Sequence, residues 1–233
     1  MKTVGFIGAY DKSDLILYIA RLLNLMGKKI LIIDATTLQK MKYLVPTIAP
    51  TKSYVTTFEE MDIAVGLYDY NSIKEYLGMP LHATFTYDYI LLDIDSPEGI
   101  ASFDIKTASQ NYFVTNFSVY ALKRGVEILS GLIEPIPLTK VLFSKGITKE
   151  EDDYLNFITL GAKAIWDEER IYFPFEQGDQ SIIIENQRVS KIKIKRLTQM
   201  YRESLLYLTD KIVDNEKESN DLKKAFRQLE KGV

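Results

Sequence analysis

Lys12 and Ser13 are the pair in this chain best suited to chemistry. A lysine followed by a hydroxyl, after a strand and at the head of a helix, is the end of the phosphate-binding pattern G-x-x-x-x-G-K-[ST]. In that pattern the glycines let backbone N–H groups wrap the phosphates, the lysine reaches their oxygens and the hydroxyl holds magnesium. Here the pattern is broken. Phe6 and Asp11 stand where the two glycines belong, and only the inner Gly8 remains. Asp11 places a carboxylate where phosphates would sit, and like charges repel. Asp34 ends the apolar run 30–33, and Asp93 ends the run 87–92. With Ser13 these two carboxylates form a candidate magnesium set. Each residue also has a structural reading. Asp11 or Ser13 caps the helix, Asp34 and Asp93 cap turns, and Lys12 is solvated or paired with Asp11.

The elements that must position these residues follow from periodicity. Residues 4–7 form an apolar run, and 8–14 a polar loop. Leu15, Ile19, Leu22, Leu23 and Met26 recur at helical spacing up to Gly27. Lys28 and Lys29 follow at the helix C-terminus, where the dipole favours cations, and a second strand runs over 30–33. This βαβ unit turns its loop towards the carboxyl ends of the strands, where such folds bind ligands. Further strands are expected over 54–57, 87–93, 111–115, 139–144 and 171–175. Helices are expected over 72–77, 118–133 (inward face Val119, Leu122, Val126, Leu129, Ile133), 150–160 and 192–213. Residues 93–99 read as an acidic loop, while 58–67 and 182–185 stay open between helix and strand. The alternation predicts an α/β fold, a mostly parallel twisted sheet flanked by helices on both faces. It divides into one domain over 1–213 and a charged C-terminal helix or frayed tail over 214–233.

Composition narrows the function classes. The chain has 233 residues, 46% hydrophobic content and a net charge of -3, so nothing draws it as a whole to nucleic acid. With no cysteine it has no disulfide, thiolate metal site or cysteine nucleophile. The single histidine, His82, has no clustered partner and is a poor ligand or catalytic base. No apolar run approaches the ~20 residues of a membrane span, and no signal peptide is evident, so a cytoplasmic protein is expected. The abundant Lys, Ile and Tyr suit an AT-rich bacterial genome. Arg188, Lys191, Lys193, Lys195 and Arg196 form the densest basic cluster. That cluster is either a solvated face or a contact for DNA or a partner. Leu222, Ala225, Phe226 and Leu229 form a weak apolar stripe among basic residues, a candidate contact for a partner or, less favourably, a membrane.

Several stretches resemble the ParA/MinD family of P-loop ATPases. These are Lys12-Ser13, the run Gly27-Lys28-Lys29-Ile30-Leu31-Ile32-Ile33-Asp34, the run Tyr87-Asp88-Tyr89-Ile90-Leu91-Leu92-Asp93, the following Asp95-Ser96-Pro97-Glu98-Gly99-Ile100, and Ile171-Tyr172-Phe173-Pro174-Phe175. The resemblance spans roughly residues 1–213. Asp93 and Asp95 compete for the strand-end aspartate that supports magnesium; Asp93 keeps the five-residue step from Asp88. The resemblance implies a three-layer α/β/α P-loop fold. It also implies a nucleotide site at Gly8, Asp11, Lys12, Ser13, Ser144, Phe173 and Pro174, and magnesium at Ser13, Asp34 and Asp93. ATP and Mg are then the cofactors wherever the loop still works, with a homodimer, another protein of its assembly and, weakly, DNA as partners. The departures fall on the chemistry. Ile7 replaces the lysine that crosses to the partner's phosphates, and Asp11 replaces a loop glycine. Thr36 replaces the second aspartate after the second strand, and Ser144-Lys145 replaces an Asn-Lys pair. Together they point to impaired or absent ATP hydrolysis in a localisation, assembly or adaptor factor, with Ile7 lending itself to an apolar dimer face. The alternative is an ATPase that dimerises on nucleotide to partition DNA or cargo.

Overall fold

The computed structural model describes residues 1–46, 52–144, 149–174 and 176–232. In chain order it contains β1 (Lys2–Ile7), α1 (Ser13–Leu25), β2 (Ile30–Ala35), α2 (Met41–Leu44), β3 (Tyr54–Phe58), β4 (Met61–Val65), α3 (Tyr70–Tyr76), β5 (Tyr89–Ile94), α4 (Pro97–Ser102), β6 (Gln110–Asn116), α5 (Val119–Leu129), β7 (Ile136–Ser144), α6 (Lys149–Ile158), β8 (Ala164–Pro174), α7 (Gln177–Val189), α8 (Gln199–Val213) and α9 (Ser219–Lys231). Eight strands form one sheet in the order β3-β4-β2-β5-β1-β6-β7-β8. Every neighbouring pair is parallel except the β3–β4 hairpin.

The central strands are apolar on both faces, as strands covered by helices on each side must be. The pleat sends alternate residues to two separate cores. Val4, Phe6, Ile32 and Leu91 pack with residues of α1, α8 and α9 on one face. Ile7, Leu31, Ile33 and Leu92 pack with residues of α3 to α6 on the other. The three-layer fold is therefore as expected, and among the described residues no helix is long and apolar enough to cross a membrane.

Several local expectations are corrected. The open stretch 58–67 is a hairpin turn followed by β4, with Glu59 and Glu60 both at positive φ, as a tight two-residue hairpin turn requires. Arg21 of α1 braces that turn, 3.1 Å from the Glu59 carboxylate and 3.0 Å from its carbonyl. The acidic loop gives way to α4, whose first turn Ser96 caps by accepting from the Gly99 N–H. The helix over 118–133 stops at Leu129, leaving Val119 and Ile133 exposed by 69% and 79%. Its inward face runs through Ala121, Leu122, Gly125, Ile128 and Leu129 instead. Gly125 matters there, because a Cβ would lie 2.7 Å from the Phe113 ring.

The helix expected over 192–213 begins only at Gln199. Ile192 and Ile194 point inward and their lysine neighbours outward, a period of two that no helix supports. Asp179 of α7 then accepts from both the N–H and the hydroxyl of Thr198, and the Thr198 hydroxyl accepts from Tyr201 N–H, so the turn starts α8. The stretch 182–185 lies inside α7. β8 starts at Ala164, seven residues before the expected strand, because its first half is a charged sheet edge, Asp167-Glu168-Glu169; Phe175 lies outside the described residues. The C-terminal stripe is not an open contact surface. Leu222, Phe226 and Leu229 are buried with residues of α1 and α8, and Lys28 reaches Glu218 at 3.0 Å.

Leu222→Ala should cost about 2–4 kcal/mol of stability, the range for removing a buried leucine side chain. A urea denaturation midpoint measures it, and a change below about 0.5 kcal/mol, as for a surface site, would mean that α9 is not docked.

Candidate functional site

The site is built on the carboxyl ends of β1, β2 and β5. Gly8 leaves β1 at φ +142, and a Cβ there would lie 2.2 Å from the Val114 carbonyl, so the one glycine kept in the loop is required by the close passage over β6. Asp34 and Asp93 end β2 and β5 as in-register neighbours, on the face that α1 covers.

Lys12 takes neither of the positions expected from a structural lysine. It is 3% exposed. Its Nζ lies 2.7 Å from Asp93 Oδ1 and donates to the Gly8 carbonyl at 2.8 Å. Ser13 Oγ donates to Asp93 Oδ2 at 3.3 Å. Asp11 instead pairs with Lys40 at 2.8 Å and accepts from Ser13 N–H at 3.2 Å. The carboxylate thus occupies a backbone N–H at the helix N-terminus that a phosphate would use. Asp34 is spent on its own turn: Oδ1 accepts from Thr36 N–H at 3.0 Å and from its hydroxyl at 2.5 Å, and Oδ2 accepts from Met41 N–H at 2.9 Å. Asp95 accepts from Thr37 N–H and its hydroxyl at 2.7 and 3.0 Å.

Electrostatics follow the burial. Burial, then the neighbouring charge of Asp93, pushes Asp34 up to about 6 against the hydrogen bonds from Thr36 and Met41. Burial pushes Asp93 up as well, against the pull of Lys12. Burial would raise Asp11, but the hydrogen bond and charge of Lys40, with Ser13, hold it below the ordinary range. Asp14 at the head of α1 is pushed up to about 7 by burial and by the charge of Asp11, with Gln187 and Lys40 opposing.

The remaining cavity over the loop is about 50 Å³, between Asp11, Lys12, Thr36, Asp95, Tyr120 and Arg124. That is room for a few water molecules, far below the about 300 Å³ at which small-ligand sites begin. The ammonium lies on the aspartate that magnesium would need, the second aspartate has no free oxygen, and a carboxylate holds the helix end. In this arrangement the residues do not fit a magnesium–triphosphate.

The other candidate residues scatter. Ser144 and Pro174 are register partners at the ends of β7 and β8, with Ser144 3.5 Å from Glu151. Phe173 is a buried core ring stacked on Phe143 at 5.0 Å. Lys145 lies outside the described residues. Ile7 is wholly buried in the core under α5 and cannot form a dimer face. The loop is rimmed instead by exposed Leu38 and Tyr120. Arg188, Lys191, Lys193, Lys195 and Arg196 are all exposed, with Arg196 bound to Glu185 at 2.5 Å. Sequence reasoning missed Lys40 and Arg124, since neither belongs to a motif and both reach the loop only through the fold.

No protein-family model matches the sequence, and no curated protein sequence does. Solved structures do. A ParA family ATPase from Chlorobium tepidum superposes with a TM-score of 0.57 over 88% of this chain and 96% of that one, at 12% identity. The MinD cell division protein of Aquifex aeolicus gives 0.56 over 93% and 98%, at 14% identity. This chain has the ParA/MinD fold. A McdA variant of Cyanothece in complex with ATP shares it, with a TM-score of 0.53 over 93% and 97% at 13% identity. Lys12 and Ser13 stand at the head of α1, after the first strand of this fold.

Asp93→Asn should remove about 3–5 kcal/mol, because it leaves the Lys12 ammonium buried and unpaired. The double variant Lys12→Met/Asp93→Leu should recover most of that loss in a denaturation cycle. Asp14 gives a second test. Its folded value of about 7 lies above the about 3.9 of an unfolded aspartate. Between those values the folded chain holds a proton that the unfolded chain has lost, so stability falls as pH rises from about 4 to about 7. Asp14→Asn should flatten that slope and raise the urea midpoint at pH 8 relative to wild type.

Proposed function

We propose that this protein is a ParA/MinD-fold localisation, assembly or adaptor factor that works without ATP hydrolysis, in a plasmid, conjugation or pilus/secretion system. The observation that carries the reading is the Lys12 ammonium, buried on Asp93 and the Gly8 carbonyl. Phosphoryl transfer depends on positioned cations that neutralise the transferring group; here the cation is already neutralised by the protein. Thr36 takes no aspartate's part with a water, because its hydroxyl closes the turn onto Asp34. The neighbours' roles in cell division and ATP binding support a fold used for positioning, while the altered loop separates this chain from their chemistry.

A homodimer belongs to the same proposal. The exposed Leu38 and Tyr120 beside the closed loop, with Val119 nearby in sequence, are suited to a contact that needs no nucleotide. The exposed cations Arg188, Lys191, Lys193 and Lys195 are assigned to a second protein of the assembly, with DNA a weak competitor. One observation favours a working ATPase instead: Ser13 still touches Asp93, the hydroxyl–carboxylate pair a magnesium site would use.

Calorimetry with ATP and ADP, each with magnesium, separates the two readings. No heat at millimolar nucleotide is expected. Saturable binding that Lys12→Ala abolishes would show a working phosphate site, and phosphate release from that bound ATP would then establish the ATPase reading in place of this one.

A further inference from the structure

Behind the loop, between the head of α1, the end of β7, α7 and α8, lies a larger cavity of about 200 Å³. Its walls are Tyr10, Leu15, Phe143, Ile183 and Tyr201, with the Asp14 carboxylate among them. The rings form a connected set. Tyr10 lies 4.7 Å from Phe143, Phe143 stacks on Phe173, and Phe173 meets Tyr201 edge-on at 5.1 Å.

Two polar side chains of this cavity can still take a partner. Tyr201 is 3% exposed, and its hydroxyl has no hydrogen-bond partner among the described residues. Asp14 accepts one hydrogen bond, from Gln187 Nε2 at 2.8 Å, but among the described residues no cation lies within ion-pair distance of it. The other carboxylate on the rim, Asp11, already has Lys40. When Asp14 is ionised, the cavity therefore holds one negative charge without a partner.

These features select a ligand. A phosphate or carboxylate is repelled by Asp14 and Asp11. A neutral apolar molecule leaves the carboxylate and the hydroxyl unmet. A cation satisfies both and is attracted to the ring faces. We infer that this cavity binds a compact organic cation, an ammonium or guanidinium group, held by Asp14 and walled by Tyr10, Phe143 and Tyr201. Its volume is below the about 300 Å³ of drug-sized sites, so the ligand is about the size of one long side chain. The same chemistry has two sources: a free small amine, or a lysine or arginine side chain offered by a partner protein.

Asp14 faces Asp11 and Tyr10 from the loop, Tyr18 from α1, Lys40 from the segment after β2, Gln187 from α7 and Tyr201 from α8. Of these, Lys40 alone is cationic, and it is bound to Asp11. Burial pushes the Asp14 carboxyl up to about 7, so cation binding strengthens as pH rises through that value.

The test uses the full chain without nucleotide and reads affinity by calorimetry, with n-butylguanidinium and n-butylammonium as cations and n-pentanol as the neutral match. At pH 8 the cations should bind at least about tenfold more tightly than the alcohol. Asp14→Asn, with an unchanged circular dichroism spectrum, should lose at least about tenfold, as should wild type at pH 5.5. Tyr201→Phe should weaken binding severalfold. A short arginine peptide that binds more tightly than butylguanidinium, with its citrulline counterpart inert, would identify the source as a partner's side chain; the reverse order would identify a free amine. Equal affinity for alcohol and cation, an Asp14→Asn variant that binds cations undiminished, or no binding of either cation at millimolar concentration would overturn the proposal. Because the probes carry no phosphate, the result is independent of whether the loop takes ATP.

Discussion

The buried pair of Lys12 and Asp93 is the constraint on which the site depends. Both groups are almost fully removed from water, and such a pair persists only while each partner neutralises the other. Its geometry settles the rest of the loop. The lysine is pulled inward and also takes the Gly8 carbonyl, so the loop closes over its own charge. Asp11 is then left to pair sideways with Lys40 and to hold the first N–H of α1. A loop of the shape that elsewhere cradles phosphate becomes a self-satisfied corner, and only water-sized space remains above it.

The charge balance around that corner is uneven. Asp34 and Asp93 stand side by side on adjacent strands. The fold tolerates two such carboxylates because one is met by an ammonium and the other by three donors, two from Thr36 and one from the head of α2. Asp14 receives no such treatment. In the first turn of α1 it sits beside apolar and aromatic side chains, with the Gln187 amide as its one side-chain donor among the described residues. Unpaired charge in such partly buried, apolar surroundings is expensive to maintain. That cost falls on the aromatic cavity rather than on the loop.

Much of this architecture was legible in the sequence. The first βαβ unit was clear because its apolar residues keep a strand, a helix and again a strand period, parted by the polar loop 8–14 and by Gly27-Lys28-Lys29. The strand ending at Asp93 was clear because a strand covered on both faces has no alternation to misread. Elements at the periphery were not. Residues 164–170 carry four charges on a sheet edge, and the Lys-Ile alternation of 191–195 merged with a true helix that starts at Gln199. Ile7 read as surface because a motif lent it a role, whereas the central position of β1 makes it core. The partner of Lys12 was hidden for a different reason. Asp93 is distant in sequence, and only the parallel placement of β1 beside β5 brings them together.

The docking of α9 has a consequence for how the chain is made. The helix of the first βαβ unit, α1, is covered by α9, which is made long after it, and Lys2 donates to the carbonyl of Val213 across 211 positions. Until that C-terminal segment emerges, one side of α1 presents bare apolar surface, and the core on that face of the sheet has no lid. Nucleation can begin early in the βαβ unit, but closure of this core waits until α9 has been made. In the interval the nascent chain is a natural client for chaperones that recognise exposed apolar helix faces.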